Sequence, residues 1–156
     1  MRYKEYNIVF QEIPNEVSLC LSITGCNLRC DGCHSPFLWK KNNGSLLSIE
    51  VLNSILEKYR NMISCVLFMG GEWYEEELIY YLSYIKDFGL KTALYTGLEF
   101  ESIRKEIINN LDYLKYGPWI KDLGGLDSVE TNQRLMDLKS GECLNHFFKP
   151  FTAKLS

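Results

Sequence analysis

No stretch of the 156-residue chain approaches 18 consecutive apolar residues, so nothing in it reads as a membrane span. Basic blocks are missing as well. The net charge is −3, and a chain with that balance and no Lys/Arg patch has little means of neutralising nucleic-acid phosphates. Internal repeats and low-complexity linkers are absent, and the length suits one domain, 1–156. The opening MRYKEYNIVFQEIPNE has neither a long apolar run nor a small-residue cleavage site. A cytoplasmic, reducing location is therefore the expectation. There, clustered cysteines hold metal or do redox chemistry more often than they form disulfides. What the chain does have is apolar residues: 46%, enough for a core without covalent staples.

Residues 17–23 alternate apolar and small polar side chains, the period of a strand, and run directly into Thr24-Gly25. Asn42-Asn43-Gly44 reads as a turn. Ser48 suits the N-cap of a helix carrying Val51, Leu52, Ile55, Leu56 and Tyr59. The run CVLFM, 65–69, stopped by Gly70-Gly71, predicts a strand buried on both faces. Residues 75–88 predict a helix with Leu78, Leu82 and Ile85 on one stripe, acids at its start and Gly89 as its stop. A strand at 91–95, a helix at 99–110 and a strand at 112–116 follow, the last stopped by Gly117-Pro118. Phe147-Phe148 is assigned to a final strand. This alternation predicts an α/β fold: an incomplete, open β/α barrel with a mainly parallel sheet, since a closed barrel needs about 250 residues. The loops at 25–33, 70–73, 96–97 and 117–118 then share the edge at the strand C-termini, where such sheets carry their sites.

The first of those loops holds the densest chemistry. TGCNLRCDGCHSP places Cys26, Cys30 and Cys33 at C-x3-C-x2-C spacing. Three unrelated buried cysteines are one account, but the segment is rich in Gly, Asn, Asp and Arg, as a loop is. Cys30-Asp31-Gly32-Cys33-His34 also matches the c-type haem attachment string and contains a thioredoxin-like C-x-x-C, yet both leave Cys26 unused. Structural zinc wants two separated pairs, and Cys20, Cys65 and Cys143 supply no second pair. The fourth account is a [4Fe–4S] cluster on three thiolates, with one iron left open to a chelating small molecule.

On these residues the chain resembles the radical S-adenosylmethionine (radical SAM) superfamily, whose C-x3-C-x2-C loop follows an early strand. The resemblance implies that Cys26, Cys30 and Cys33 are cluster ligands and that the open iron holds SAM by its amino and carboxylate groups. Reduction would then split SAM into methionine and a 5′-deoxyadenosyl radical. Gly70-Gly71-Glu72-Trp73 is similar to the family's GGEP segment, with Trp73 replacing the proline, which assigns Gly70, Gly71 and Glu72 to SAM. Glu72 could alternatively cap the next helix. Gly32 stands where many activating enzymes of the family carry an aromatic against adenine, and His34 offers a ring instead. Thr96-Gly97 falls where relatives line the SAM site.

The short chain further resembles the family that activates anaerobic ribonucleoside-triphosphate reductase. The resemblance rests on the cysteine loop with Trp39, on MGGE, LYTG and DYLKYGPW, and on Thr131-Asn132-Gln133-Arg134. It implies hydrogen abstraction from a glycine Cα of the partner reductase, with electrons from flavodoxin or ferredoxin. Trp39, Trp73, Tyr95 and Trp119 are candidates for gripping that partner, and Asn132 and Arg134 for touching SAM or the partner. Other expectations left open are an activase for a different glycyl-radical enzyme, a small peptide-modifying radical SAM enzyme, and an iron–sulfur electron carrier.

Overall fold

The computed structural model describes residues 1–149. Seven strands form one sheet: Arg2–Val9 (β1), Ser18–Ile23 (β2), Ser45–Leu46 (β3), Cys65–Met69 (β4), Lys91–Tyr95 (β5), Tyr113–Tyr116 (β6) and Arg134–Asp137 (β7). Their spatial order is β3-β1-β2-β4-β5-β6-β7. Helices Ile49–Tyr59 (α1), Glu75–Asp87 (α2) and Lys105–Asn109 (α3) sit in the crossovers between β3 and β4, β4 and β5, and β5 and β6.

The expected α/β alternation is present, and the centre of the sheet is parallel. β2, β4, β5 and β6 are parallel, whereas β1 pairs antiparallel with both β2 and β3, and β7 pairs antiparallel with β6. The sheet is mixed and does not close into a barrel. Its chemistry of connection explains this. The parallel pairs are joined by helical crossovers, but no α-helix lies between β1 and β2 or between β6 and β7, so those strands turn back. β1 itself was invisible in the sequence. RYKEYNIV carries charge and is only half-buried, so it shows neither a clean alternation nor an apolar run.

Two cores flank the sheet. Leu19, Leu21, Ile23, Val66, Phe68 and Leu94 face the helices, which answer with Leu52, Ile55, Leu56, Leu78, Leu82 and Ile85. Cys20, Cys65, Leu67, Ala93 and Tyr113 face the other way, onto Ile13, Leu135 and Leu144. β4 is thus buried on both sides, which is why its sequence is a continuous apolar run. Cys20 and Cys65 are packing residues of this second core, and burial pushes both thiols up to about 12. Cys143 is exposed.

Ser48 caps α1 as expected, its hydroxyl accepting from the Val51 amide at 3.3 Å. α2 ends ahead of Gly89, which sits at φ +89°. The helix expected over 99–110 is broken. A 3₁₀ turn at Phe100–Ser102 precedes extended backbone at Ile103 and Arg104, and only Lys105–Asn109 is α-helical. Tertiary contacts override propensity here. The break lets Ile103 enter the helix-side core, 5% exposed, while Arg104 pairs with Glu75 and Glu76 at the start of α2.

Phe147-Phe148 is also corrected: it lies in a 3₁₀ turn, Asn145–Phe148, and the last described strand is β7. The Asn145 side chain accepts from the Leu135 amide at 2.9 Å and donates to the Gln133 carbonyl at 2.8 Å. The chain beside it meets the outer edge of β7 only in an isolated antiparallel bridge, Met136 with Cys143.

Candidate functional site

The parallel register brings the C-terminal ends of β2, β4, β5 and β6 to one rim. Ser22 pairs with Met69, Met69 with Tyr95, and Tyr95 with Lys115. The cysteine loop leaves β2 at that rim and is tied down at its start. The Gly25 and Cys26 amides both donate to the Leu38 carbonyl, at 2.7 and 3.2 Å. The Thr24 hydroxyl donates to the Lys41 carbonyl at 2.9 Å. Within the loop the Cys33 amide donates to the Cys30 carbonyl at 3.2 Å, and the Ser35 amide points at the Cys33 sulfur at 3.4 Å.

Cys26, Cys30 and Cys33 are each half-buried and free. All three line one cleft of about 220 Å³, together with Gly70, Glu72 and Thr96. Among the described residues, no three His, Cys, Asp or Glu side chains converge as ligands of a single metal ion. A cube asks less of them, because each thiolate holds a different iron, and a shared cleft suffices. A second cleft of about 750 Å³ adjoins the first, with Cys30, Cys33, Tyr95, Lys115 and Trp119 in the walls of both. Its outer wall is the segment Gly124 to Asp127, and Gln11 and Glu12 border it on another side.

Gly70 and Trp73 explain each other. Gly70 has φ +78°, and a Cβ there would lie 2.5 Å from Cη2 of Trp73. The indole packs against the bare glycine, and its Nε1 donates to the Thr24 carbonyl at 3.1 Å. Trp73 thereby pins the loop after β4 to the end of β2, a clamp that proline could not make.

Glu72 does not cap α2, whose N-cap is Tyr74. Its carboxyl is 7% exposed. Oε1 accepts from the Thr96 hydroxyl at 2.6 Å, and Oε2 is buried with no hydrogen-bond partner among the described residues. Burial holds its pKa above the ordinary glutamate range, with the Thr96 bond opposing. A buried lone acceptor in the wall of a cleft fits a ligand that brings a donor. Lys115 lines the same cleft, and burial draws its ammonium down to about 8. One carboxylate oxygen without a donor and one desolvated cation, beside three thiols, fit a ligand that brings both an N–H donor and a carboxylate.

The remaining expected residues divide. His34 is exposed and borders the larger cleft only. Gly32 and Gly71 line neither cleft; Gly71 sits on the Ile23 side chain. Thr131, Asn132, Gln133 and Arg134 form a latch. Asn132 Nδ2 donates to the Pro118 carbonyl at 2.9 Å, Gln133 Nε2 to the Gly117 carbonyl at 3.2 Å, and Arg134 to the Thr131 carbonyl at 2.7 Å. The latch holds the loop after β6 in place, and Gln133 lines both clefts.

Lys115 was missed by sequence reasoning. Its signal lay in DYLKYGPW, where strand alternation puts Tyr113 and Lys115 on one face and Leu114 on the other. Gln11 and Glu12 left no such signal. They border the larger cleft, where the Tyr95 hydroxyl donates to the Glu12 carbonyl.

No solved structure matches the chain. An anaerobic ribonucleoside-triphosphate reductase-activating protein of enterobacteria phage T4 is 28% identical over 131 residues, covering 78% of this chain and 84% of the relative. The 4Fe-4S single cluster domain family matches residues 16–136. That match spans most of the chain, with the whole cysteine loop and the rim residues Glu72, Thr96 and Lys115 inside it, and the chain belongs to the 4Fe-4S single cluster domain family.

Proposed function

We propose that the chain is a radical SAM activase, one domain over 1–156, that generates a glycyl radical on an anaerobic ribonucleoside-triphosphate reductase in the cytoplasm. The sheet then serves as the open part of a β/α barrel. The observation that carries this is the convergence of Cys26, Cys30 and Cys33 on one cleft with the unpartnered Glu72 oxygen. The phage relative, named for activation of such a reductase, supports the choice of partner.

The three cysteines would hold a [4Fe–4S] cluster, with Gly70, Gly71, Glu72, Thr96, Gly32 and His34 assigned to SAM. A reduced cluster held there would supply one electron to split SAM into methionine and a 5′-deoxyadenosyl radical, and that radical would take a hydrogen atom from the partner glycine Cα. Everything else is positioning. Glu72 Oε2 would accept from an N–H of the SAM amino group while the Thr96 hydroxyl fixes the Glu72 carboxylate through Oε1. Lys115, in the same cleft, would meet the SAM carboxylate. The Trp73 clamp keeps the cysteine loop and the Gly70-Gly71 turn in register. The larger cleft admits an extended glycine segment, and placing its Cα against the 5′ carbon is the protein's main contribution to rate. Electrons come from a flavodoxin or ferredoxin.

Anaerobic reconstitution with iron and sulfide tests the proposal. The expected result is brown protein that forms 5′-deoxyadenosine from SAM after dithionite, and a glycyl-radical electron paramagnetic resonance signal when the reductase is present. Colour without SAM cleavage would point to an electron carrier, and zinc or a disulfide at the cysteine loop would end the proposal.

A further inference from the structure

Trp39 and Trp119 both line the smaller cleft with a buried N–H that has no partner among the described residues, and of the two Trp119 alone also borders the larger cleft. It lies just past β6, in the wall shared by the two clefts. Its Nε1 is buried and has no hydrogen-bond partner among the described residues. A buried indole N–H ordinarily finds an acceptor, and leaving one unpaired costs stability. Trp73, by contrast, spends its N–H on the Thr24 carbonyl.

The surroundings of Trp119 are as particular as its orphaned donor. A Cβ at Gly32, inside the cysteine loop, would lie 3.7 Å from Trp119 Nε1. A Cβ at Gly125 would lie 3.8 Å from Cζ3, at the far end of the same ring system. The indole therefore spans between two residues that have no side chains. Gly32 sits at φ +66°, a conformation strained for any residue with a side chain, so the cysteine loop cannot supply an aromatic at that point itself. The His34 ring stands 4.6 Å from Trp119 at 55° and closes the edge of the site from the larger cleft.

We infer that Trp119 is the purine-recognising residue of this site: its face supports the adenine of SAM, and its Nε1–H donates to a purine ring nitrogen. This rests on the proposed function. The geometry favours a purine over the partner peptide because the N–H edge lies at the cysteine loop. The adenosine must lie there too, since its C5′–S bond is the one broken beside the cluster. A flat π surface and ring-nitrogen acceptors match an indole face and an indole donor. The aromatic comes from the loop after β6, and it stands in for the side chain that Gly32 lacks.

The test is equilibrium binding on anaerobically reconstituted, unreduced protein, where SAM is bound but not consumed. SAM, methionine and 5′-deoxyadenosine serve as probes, with iron content measured for every variant. Trp119→Ala should weaken SAM and 5′-deoxyadenosine binding by about tenfold or more, the size of one lost base–aromatic contact, with methionine affinity unchanged. Trp119→Phe keeps a ring and loses the donor, so SAM binding should weaken by about threefold to tenfold. If Trp119→Ala fails to take up iron, Trp119→Phe at full iron content decides alone. Wild-type SAM affinity in Trp119→Phe, or an equal loss of methionine and SAM binding in Trp119→Ala, overturns the inference. Failure of the unaltered protein to bind SAM overturns the functional proposal itself, and the two failures are thereby distinct.

Discussion

Replacing Glu72 by Gln should make the cluster-free chain more stable and the loaded chain worse at holding SAM. The carboxyl is 7% exposed, its Oε1 is bonded to Thr96 and its Oε2 has no partner. Gln preserves the Thr96 bond and removes the buried negative charge. Leaving a buried polar group unpaired costs about 1–3 kcal/mol, and the neutral amide recovers only the charged share, so a gain of about 1–2 kcal/mol is expected. For a domain of this size that is about 2–8 °C in Tm.

The pH dependence is the sharper part. Burial raises the folded-state pKa of Glu72, so the folded chain binds more protons than the unfolded chain between the two values. Wild-type stability therefore falls as pH rises from the usual glutamate range through the raised folded value, and the Gln variant lacks this loss. The Tm gap should be small near pH 4.5 and open towards pH 8. Thermal unfolding of both proteins under reductant, followed by circular dichroism, reads it directly. A variant less stable than wild type at pH 8, or a gap that does not change with pH, would refute the reasoning.

Three further outcomes are expected. Cys26→Ala, Cys30→Ala and Cys33→Ala should each abolish 5′-deoxyadenosine formation, whereas Cys20→Ala, Cys65→Ala and Cys143→Ala should leave it largely intact; product assay alongside iron analysis checks both halves. Gly70→Ala should lower unfolding stability by about 2–4 kcal/mol in urea titration, since a left-handed residue with a side chain costs about 1–2 kcal/mol and the Trp73 ring must also move. A midpoint equal to wild type would show that the Gly70–Trp73 clamp is not tight. Lys115→Met should weaken SAM binding at least tenfold with no loss of fold, as removing one partner of a desolvated charge pair does; unchanged affinity would remove Lys115 from the site.

Much of the frame was legible one segment at a time. The continuous run 65–69 and the alternation at 17–23 became β4 and β2, because a strand's burial writes itself into local hydrophobic pattern. Ser48 and Gly89 marked helix ends for backbone reasons that need no neighbours. Elements whose form depends on distant partners were misread. The 99–110 helix broke so that Arg104 could meet α2, Phe147-Phe148 became a 3₁₀ turn beside Asn145, and β1 is a charged, half-buried strand without a clean hydrophobic pattern.

The site divides along the same line. The sequence alone set the spacing of Cys26, Cys30 and Cys33, placed them after a strand, and marked the Gly70-Gly71-Glu72 turn, because loop chemistry and strand ends are local properties. Only the tertiary structure could show that Glu72 keeps one oxygen unpaired, that Lys115 shares its cleft, that Cys20 and Cys65 are core, and that Trp119 keeps an unpartnered N–H beside Gly32. Whether a polar atom finds a partner depends on residues far away in the chain, and that is decided when the parallel register brings four strand ends to one rim.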